Sequence, residues 1–235
     1  MARQEAASAI MIQLDTVTKV YDSQRGPVRA LDGLSLSIET GEFVAVRGPS
    51  GCGKSTLLSI AGGLNRPSSG RIVVDGNDLG AMSGEELTQF RAHTIGFVFQ
   101  MFHLLPYLNV LDNVLVAAGR DEREQAASEA AELLDRFGMS DRLTHHPAQL
   151  SAGERQRTAM ARAMLHEPKL ILADEPTGNL DPESAAVVLD HLHAYQQAGG
   201  TVLLVTHDEQ AAARAGRSLM LRAGRLDTAA MGQQV

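Results

Sequence analysis

Residues 48–56 read GPSGCGKST, and no other stretch of the 235-residue chain restricts its folding as strongly. The segment fits G-x4-G-K-[ST], with Gly48, Gly53, Lys54 and Ser55 at the fixed positions. The apolar run FVAV at 43–46 precedes it and reads as a buried strand. A helical pattern follows from 54 to about 64. Strand, glycine-rich turn and helix in that order form a phosphate-binding loop. Glycines let the backbone N–H groups curl around phosphate oxygens, and the helix N-terminus favours an anion. Lys54 suits the β- and γ-phosphates, and the Ser55 hydroxyl suits Mg²⁺. Pro49, Ser50, Gly51, Cys52 and Thr56 complete the loop. Cys52 is the only cysteine, so an intrachain disulfide is excluded, and it reads as a small loop residue. Arg47 stands where a core strand usually ends in an apolar residue, and the sequence offers no account of it.

The rest of the chain has to supply a sheet for this loop. Strand patterns occur at MIQLDTVTKVY (11–21), LSLSI, FVAV, RIVVD (71–75) and IGFVF (95–99), and again at KLILAD (169–174), TVLLVT (201–206) and RSLMLR (217–222). A polar helix is expected around 83–92. Residues 1–10 read as a loose leader, and about 101–166 as helical. Helices separating the later strands imply a parallel sheet covered on both faces. Tryptophan is absent and aromatics are 4% of the chain, so Val, Leu, Ile and Ala must fill the core. The net charge of −7 argues against a general nucleic-acid binder. No apolar run approaches the roughly 20 residues of a membrane span. A membrane partner would therefore be served from outside the bilayer.

LILADEP at 170–176 is an apolar strand ending in two carboxylates. Ligands of open parallel sheets gather at the carboxyl ends of strands. Asp174 suits Mg²⁺, and Glu175 suits a general base acting on water. Neighbouring strand residues point to opposite faces, so the chain must turn at the strand end to aim both at one ligand. TVLLVTH ends in His207 at the same edge. The other histidines, among them His145, His146, His191 and His193, show no metal-ligand spacing and read as mostly surface residues. LSAGERQR at 150–157 is, by itself, a helix start capped by Ser151.

The phosphate loop, LSAGERQR, LILADEP and the TH pair occur in this order, and together they make the chain resemble the ATP-binding subunit of an ATP-binding-cassette (ABC) transporter from about 11 to 226. The resemblance implies an α/β P-loop NTPase fold. It has a RecA-like mixed-sheet core and an antiparallel β subdomain (11–99 and 167–235), with an inserted helical subdomain (100–166), all in one nucleotide-binding domain. It implies ATP hydrolysis with Mg²⁺. Tyr21, in the turn after the first strand, would stack on adenine. Gln100 would reach Mg²⁺ and water and link the subdomains. His207 would complete the catalytic site with Glu175. Ser151, Ala152, Gly153 and Glu154 would close over ATP held by a second copy, and Asp181 would cross between the copies. Ala152 and Glu154 replace the commoner glycine and glutamine, which puts the strength of the phosphate contact at Ala152 in question. A soluble P-loop kinase or GTPase leaves LSAGERQR and His207 unexplained.

SIAGGLNRPSSG, FVFQMFHLLPYLNVLDNV and DEPTGNLD are similar to the lipoprotein-release, macrolide-export and cell-division branch, with an importer or drug-exporter subunit as the alternative. The resemblance implies a homodimer on the cytoplasmic face of the inner membrane and an integral membrane permease partner contacted near 100–110. Met101, Phe102, Leu104, Leu105, Tyr107 and Leu108 either receive that partner or pack the helical region. The cargo is not written in this chain.

Overall fold

The computed structural model describes residues 9–24, 26–119 and 122–227. Residues 1–8, most of the expected leader, lie outside them. The chain begins with β1 (Ile10–Tyr21) and β2 (Val28–Glu39), then β3 (Phe43–Arg47) leads through the phosphate loop into α1 (Lys54–Ala61). β4 (Ser69–Val74) and β5 (Asn77–Asp78) precede α2 (Gly84–Thr94), and β6 (Ile95–Phe99) follows directly. Three helices come next: α3 (Val110–Leu115), α4 (Arg123–Arg136) and α5 (Ala152–Met164). The chain then alternates through β7 (Leu170–Asp174), α6 (Pro182–Gln197), β8 (Thr201–Thr206), α7 (Glu209–Ala212), β9 (Arg217–Arg222) and β10 (Arg225–Leu226).

The strands form two sheets. One is antiparallel, in the order β2-β1-β4-β5; the other has the order β10-β9-β3-β8-β7-β6. In the second sheet β9, β3, β8, β7 and β6 run parallel, and β10 adds an antiparallel edge. Strand alternation sorts its side chains onto two cores. Val44, Val46, Leu170, Leu172, Leu203 and Val205 join α1 and the antiparallel sheet on one face. Phe43, Ala45, Ile171, Ala173, Val202 and Leu204 join α3, α4, α5 and α6 on the other. Burial on both faces explains why these strands read as continuous apolar runs.

The structure departs from the sequence expectations at several points. β1 starts at Ile10, inside the expected leader, and ends at Tyr21, so Tyr21 closes a strand rather than sitting in the turn after it. β2 is longer than LSLSI, and α1 stops at Ala61 rather than near 64. Residues 101–109 are not helical. Asn113, fully buried on α3, captures that segment instead. Its Oδ1 accepts from the Leu105 N–H at 2.7 Å, and its Nδ2 donates to the carbonyls of Leu105, Leu108 and Asn109 at 3.0–3.1 Å. His145, His166 and His191 are half-buried rather than on the surface; His191 packs on Phe137 with ring centroids 4.2 Å apart.

Candidate functional site

The phosphate loop hangs between the ends of β3 and α1. Gly53 has φ +111°, a conformation open to glycine, and a Cβ there would run into the Ala30 carbonyl oxygen. Lys54 is 8% exposed and folds back into the loop, with Nζ donating to the Gly48 carbonyl at 2.7 Å and the Pro49 carbonyl at 3.3 Å. Pro49, Ser50 and Gly51 form the exposed tip, and Ser55 is exposed at the helix start. Cys52 is buried under the loop, where its Sγ fills the space a Gly48 side chain would need.

β7 brings the carboxylates to this loop. Alternation places Asp174 with Leu170 and Leu172 on the α1 face, with its carboxylate beside the Ser55 side chain. Burial pushes the Asp174 carboxyl above its ordinary pKa, and the neighbouring Glu175 charge adds to this. The Ser55 side chain and the Lys54 charge act in the opposite direction. Glu175 should face away, yet its φ of +47° swings it round while its N–H still extends the ladder to the Val205 carbonyl at 2.9 Å. That turn puts both carboxylates at one edge. Glu175 Oε1 lies 3.9 Å from Lys54 Nζ. Its Oε2 takes three contacts from the end of β8: Thr206 Oγ1 at 3.1 Å, the His207 N–H at 3.2 Å and His207 Nδ1 at 2.9 Å. The His207 side chain is otherwise two-thirds exposed. An open cleft of about 500 Å³ adjoins, lined by Arg47, Gly48, Pro49, His207, Met220 and Arg222. Arg47 now has a structural account, since its guanidinium pairs with Glu209 at the start of α7. A glycine-rich loop with a buried lysine, two adjacent carboxylates and a histidine thus lie together at one sheet edge, a set of groups chemically suited to binding and hydrolysing a nucleoside triphosphate.

Residues 31–178, more than half of the chain, match the pattern of the ABC transporter family. The chain belongs to the ABC transporter family. It is an ABC ATPase subunit, with relatives named both as separate ATP-binding proteins and as ATP-binding/permease fusions. Identity is 43% over 229 residues to the ABC transporter ATP-binding protein YknY of Bacillus subtilis, covering 95% of this chain and 98% of that one. It is 45% over 220 residues to the lipoprotein-releasing system ATP-binding protein LolD of Geobacter metallireducens, covering 92% and 97%. It is 47% over 219 residues to the macrolide export ATP-binding/permease protein MacB of Rhodospirillum rubrum, covering 92% of this chain but 34% of MacB. A solved dimer of the bacterial ABC transporter cassette MJ0796 superposes with TM-score 0.84 at 38% identity, covering 92% of this chain and 97% of that one. Another MJ0796 dimer, in a post-hydrolysis state with ADP and Pi, gives TM-score 0.83 at 36% identity, with the same coverage.

The remaining residues singled out in this ABC chain form a second group. Ser151 caps α5: its Oγ accepts from the Glu154 N–H at 3.2 Å, and Glu154 Oε2 accepts from the Ser151 N–H at 2.7 Å. Ala152 opens the helix with a negative φ, so the alanine imposes no backbone strain. Arg142 pairs with Glu154 at 2.9 Å. Gly153 is buried, with Ser184 occupying the space its side chain would need. Ser184 Oγ in turn donates to Asp181 at 2.8 Å. Ser184 thus joins Gly153 to Asp181, a link the sequence pattern did not reveal. Among the described residues no hydrogen bond or ion pair joins this group to Lys54, Asp174 or Glu175.

Two expected ligands sit apart from the phosphate loop. The Gln100 side chain donates to Asn179 Oδ1 at 3.5 Å, and Asn179 Nδ2 donates to the Gln100 carbonyl at 3.0 Å. β6 still brings Gln100 next to the acid pair, because Phe99 pairs with Asp174. Tyr21 is 37% exposed, with Lys19 Nζ 5.0 Å from its ring centroid. Met101 and Tyr107 are 68% and 71% exposed, whereas Phe102, Leu104, Leu105 and Leu108 are half-buried. The 101–108 stretch therefore divides between surface and packing. Among the described residues no group of three or more His, Cys, Asp or Glu side chains could hold a metal, and no helix is long and apolar enough to cross a membrane.

Proposed function

We propose that the chain binds ATP at the loop 48–56, hydrolyses it to ADP and phosphate, and works as a pair of copies that drive a separate membrane subunit. Tyr21 would stack on the adenine, and Lys54 would leave the Gly48 and Pro49 carbonyls for the β- and γ-phosphates. Water attacks the γ-phosphorus, its proton passes to Glu175, and the bond from phosphorus to the β–γ bridging oxygen breaks with its electrons on ADP. Glu175 can receive the proton because Thr206 and His207 fix Oε2 and leave Oε1 toward Lys54. His207 holds the base in place, and Gln100 moves from Asn179 to orient the water. Asp174 and Ser55 fit Mg²⁺. They are hard oxygen donors, Asp174 carries a charge that burial disfavours, and Mg²⁺ takes only one or two protein ligands beside substrate phosphates. Bound Mg²⁺ would neutralise charge on the β- and γ-oxygens.

Ser151, Ala152, Gly153 and Glu154 of one copy would face the ATP of the other, with Asp181 at the crossing. This reading accounts for their separation from the phosphate loop in a single chain. Met101 and Tyr107 supply the apolar contact for a membrane permease at the cytoplasmic side, as in a lipoprotein-releasing or macrolide-export assembly.

The held carboxylate of Glu175 carries the proposal. In Glu175→Gln, ATP binding persists, turnover drops by about 10²–10⁴-fold, and dimers accumulate in MgATP. Phosphate release and sedimentation measure the two effects. Unreduced turnover would remove Glu175 from the role of base.

A further inference from the structure

Lys19 and Tyr21 stand two residues apart at the end of β1, so strand alternation puts their side chains on one face. The Lys19 ammonium lies 5.0 Å from the centroid of the Tyr21 ring, within the range at which a cation is drawn to an aromatic face. The ring itself is 37% exposed. Lys19 forms no ion pair among the described residues, and its Nζ donates to the Arg66 carbonyl at 2.8 Å. A ring face and a carbonyl are thus the partners of this ammonium.

Arg66 belongs to the turn that follows α1, and that turn is fastened on both sides. The Ser68 N–H donates to the Thr18 carbonyl at 2.8 Å and the Val20 N–H donates to Ser68 Oγ at 3.0 Å, which ties the turn to β1. The Leu64 and Asn65 N–H groups donate to the Ser59 carbonyl at 2.8 and 3.1 Å, which ties it to α1. The Arg66 guanidinium adds a third anchor by donating to the Met82 carbonyl at 2.7 Å. α1 starts with Lys54 and Ser55 of the phosphate loop, and its eight residues span about 12 Å. A continuous set of contacts therefore runs from the Tyr21 ring, through Lys19 and the Arg66 turn, to the helix that begins at the phosphate loop. An exposed ring at a strand end loses side-chain freedom when a planar ligand stacks on it. A contact that fixes the ring beforehand reduces that loss.

We propose that Lys19 is a positioning residue for the nucleotide base: its ammonium holds the Tyr21 ring in register with the phosphate loop and so raises affinity for the base without touching the phosphates. The inference rests on the proposed function, which takes Tyr21 as the platform for adenine. A lysine that only added positive charge near the site would strengthen the binding of any polyphosphate alike.

Calorimetric binding to the full chain tests it, in a Glu175→Gln parent that does not consume the nucleotide. The two probes are MgATP and magnesium tripolyphosphate, which carries phosphates but no base. Lys19→Met should weaken MgATP by about 2–5-fold and leave tripolyphosphate unchanged. Lys19→Arg, which restores a cation and a donor, should return MgATP to the parent affinity. In a Tyr21→Leu background, which lacks the ring, Lys19→Met should cost nothing further. Tripolyphosphate binding also reports a folded phosphate loop in each variant. An MgATP affinity unmoved by Lys19→Met overturns the proposal, as does an equal loss for tripolyphosphate or an equal loss in the Tyr21→Leu background. Tyr21→Leu alone binding MgATP as tightly as the parent would instead count against adenine stacking in the proposed function, and would overturn this inference with it.

Discussion

At the residue scale, the residue proposed to hold Mg²⁺, Asp174, is also one whose buried charge disfavours the folded chain. Burial, the largest influence, raises its pKa in the folded chain. The folded state then binds a proton more readily than the unfolded state. Stability from this group is fully present below the unfolded pKa and is lost as pH rises through the folded pKa. At neutral pH the nucleotide-free chain therefore carries a charge it would rather not bury. Asp174→Asn keeps an acceptor for the Ser55 hydroxyl and removes that charge. The variant should melt higher than the parent at pH 7.5 without nucleotide, and the gap should narrow as pH falls toward about 4, near the ordinary Asp pKa. The same variant should gain less thermal stability from MgATP. Melting curves at the two pH values decide; a variant less stable than the parent at pH 7.5 would contradict the assignment of burial as the main cause.

At the element scale, the parallel strands were legible because each is a short, largely apolar run with sharp ends. β6, β8 and β9 occur where IGFVF, TVLLVT and RSLMLR stand. The carboxyl-edge gathering of Asp174 and His207 followed from the same logic. The left-handed turn at Glu175 did not, because a positive φ at a glutamate has no compositional mark. The segment 101–109 misled for a similar reason. Its leucines suit a helix, but the side chain of Asn113 takes the backbone groups a helix would have paired. One buried asparagine among leucines gives no warning of this. Its removal should be costly: Asn113→Leu keeps the number of side-chain heavy atoms but strands the Leu105 N–H, so a loss of about 2–3 kcal/mol is expected. Chemical denaturation would measure it, and proteolysis should cut the variant first within 101–109. A cost near zero would mean that the 103–109 backbone finds other partners.

At the scale of the whole molecule, the residues proposed to act on ATP fall into two groups, with no hydrogen bond or ion pair between them among the described residues. Lys54, Asp174, Glu175 and His207 converge at one edge. Gly153 and Asp181 are joined through Ser184 elsewhere, at the helix start that Ser151 caps. Resemblance suggested this division, whereas composition and periodicity were silent about it, because a contact between copies leaves no period in one sequence. If two copies complete each other, damage to one half-site can be complemented by damage to the other. Lys54→Ala removes the phosphate cation and leaves Ser151 intact. Ser151→Phe blocks the exposed cap and leaves Lys54 intact, at a helix-cap cost of about 1 kcal/mol. Each variant alone should be nearly inactive. Mixed in equal amounts, they form some pairs in which the intact loop of the Ser151→Phe chain faces the intact Ser151 of the Lys54→Ala chain. ATP turnover should then rise above the sum of the separate samples and depend on total concentration as a bimolecular assembly does. A mixture no more active than that sum, under conditions where the parent dimerises, would mean that one complete site per pair is not enough or that the two groups never meet.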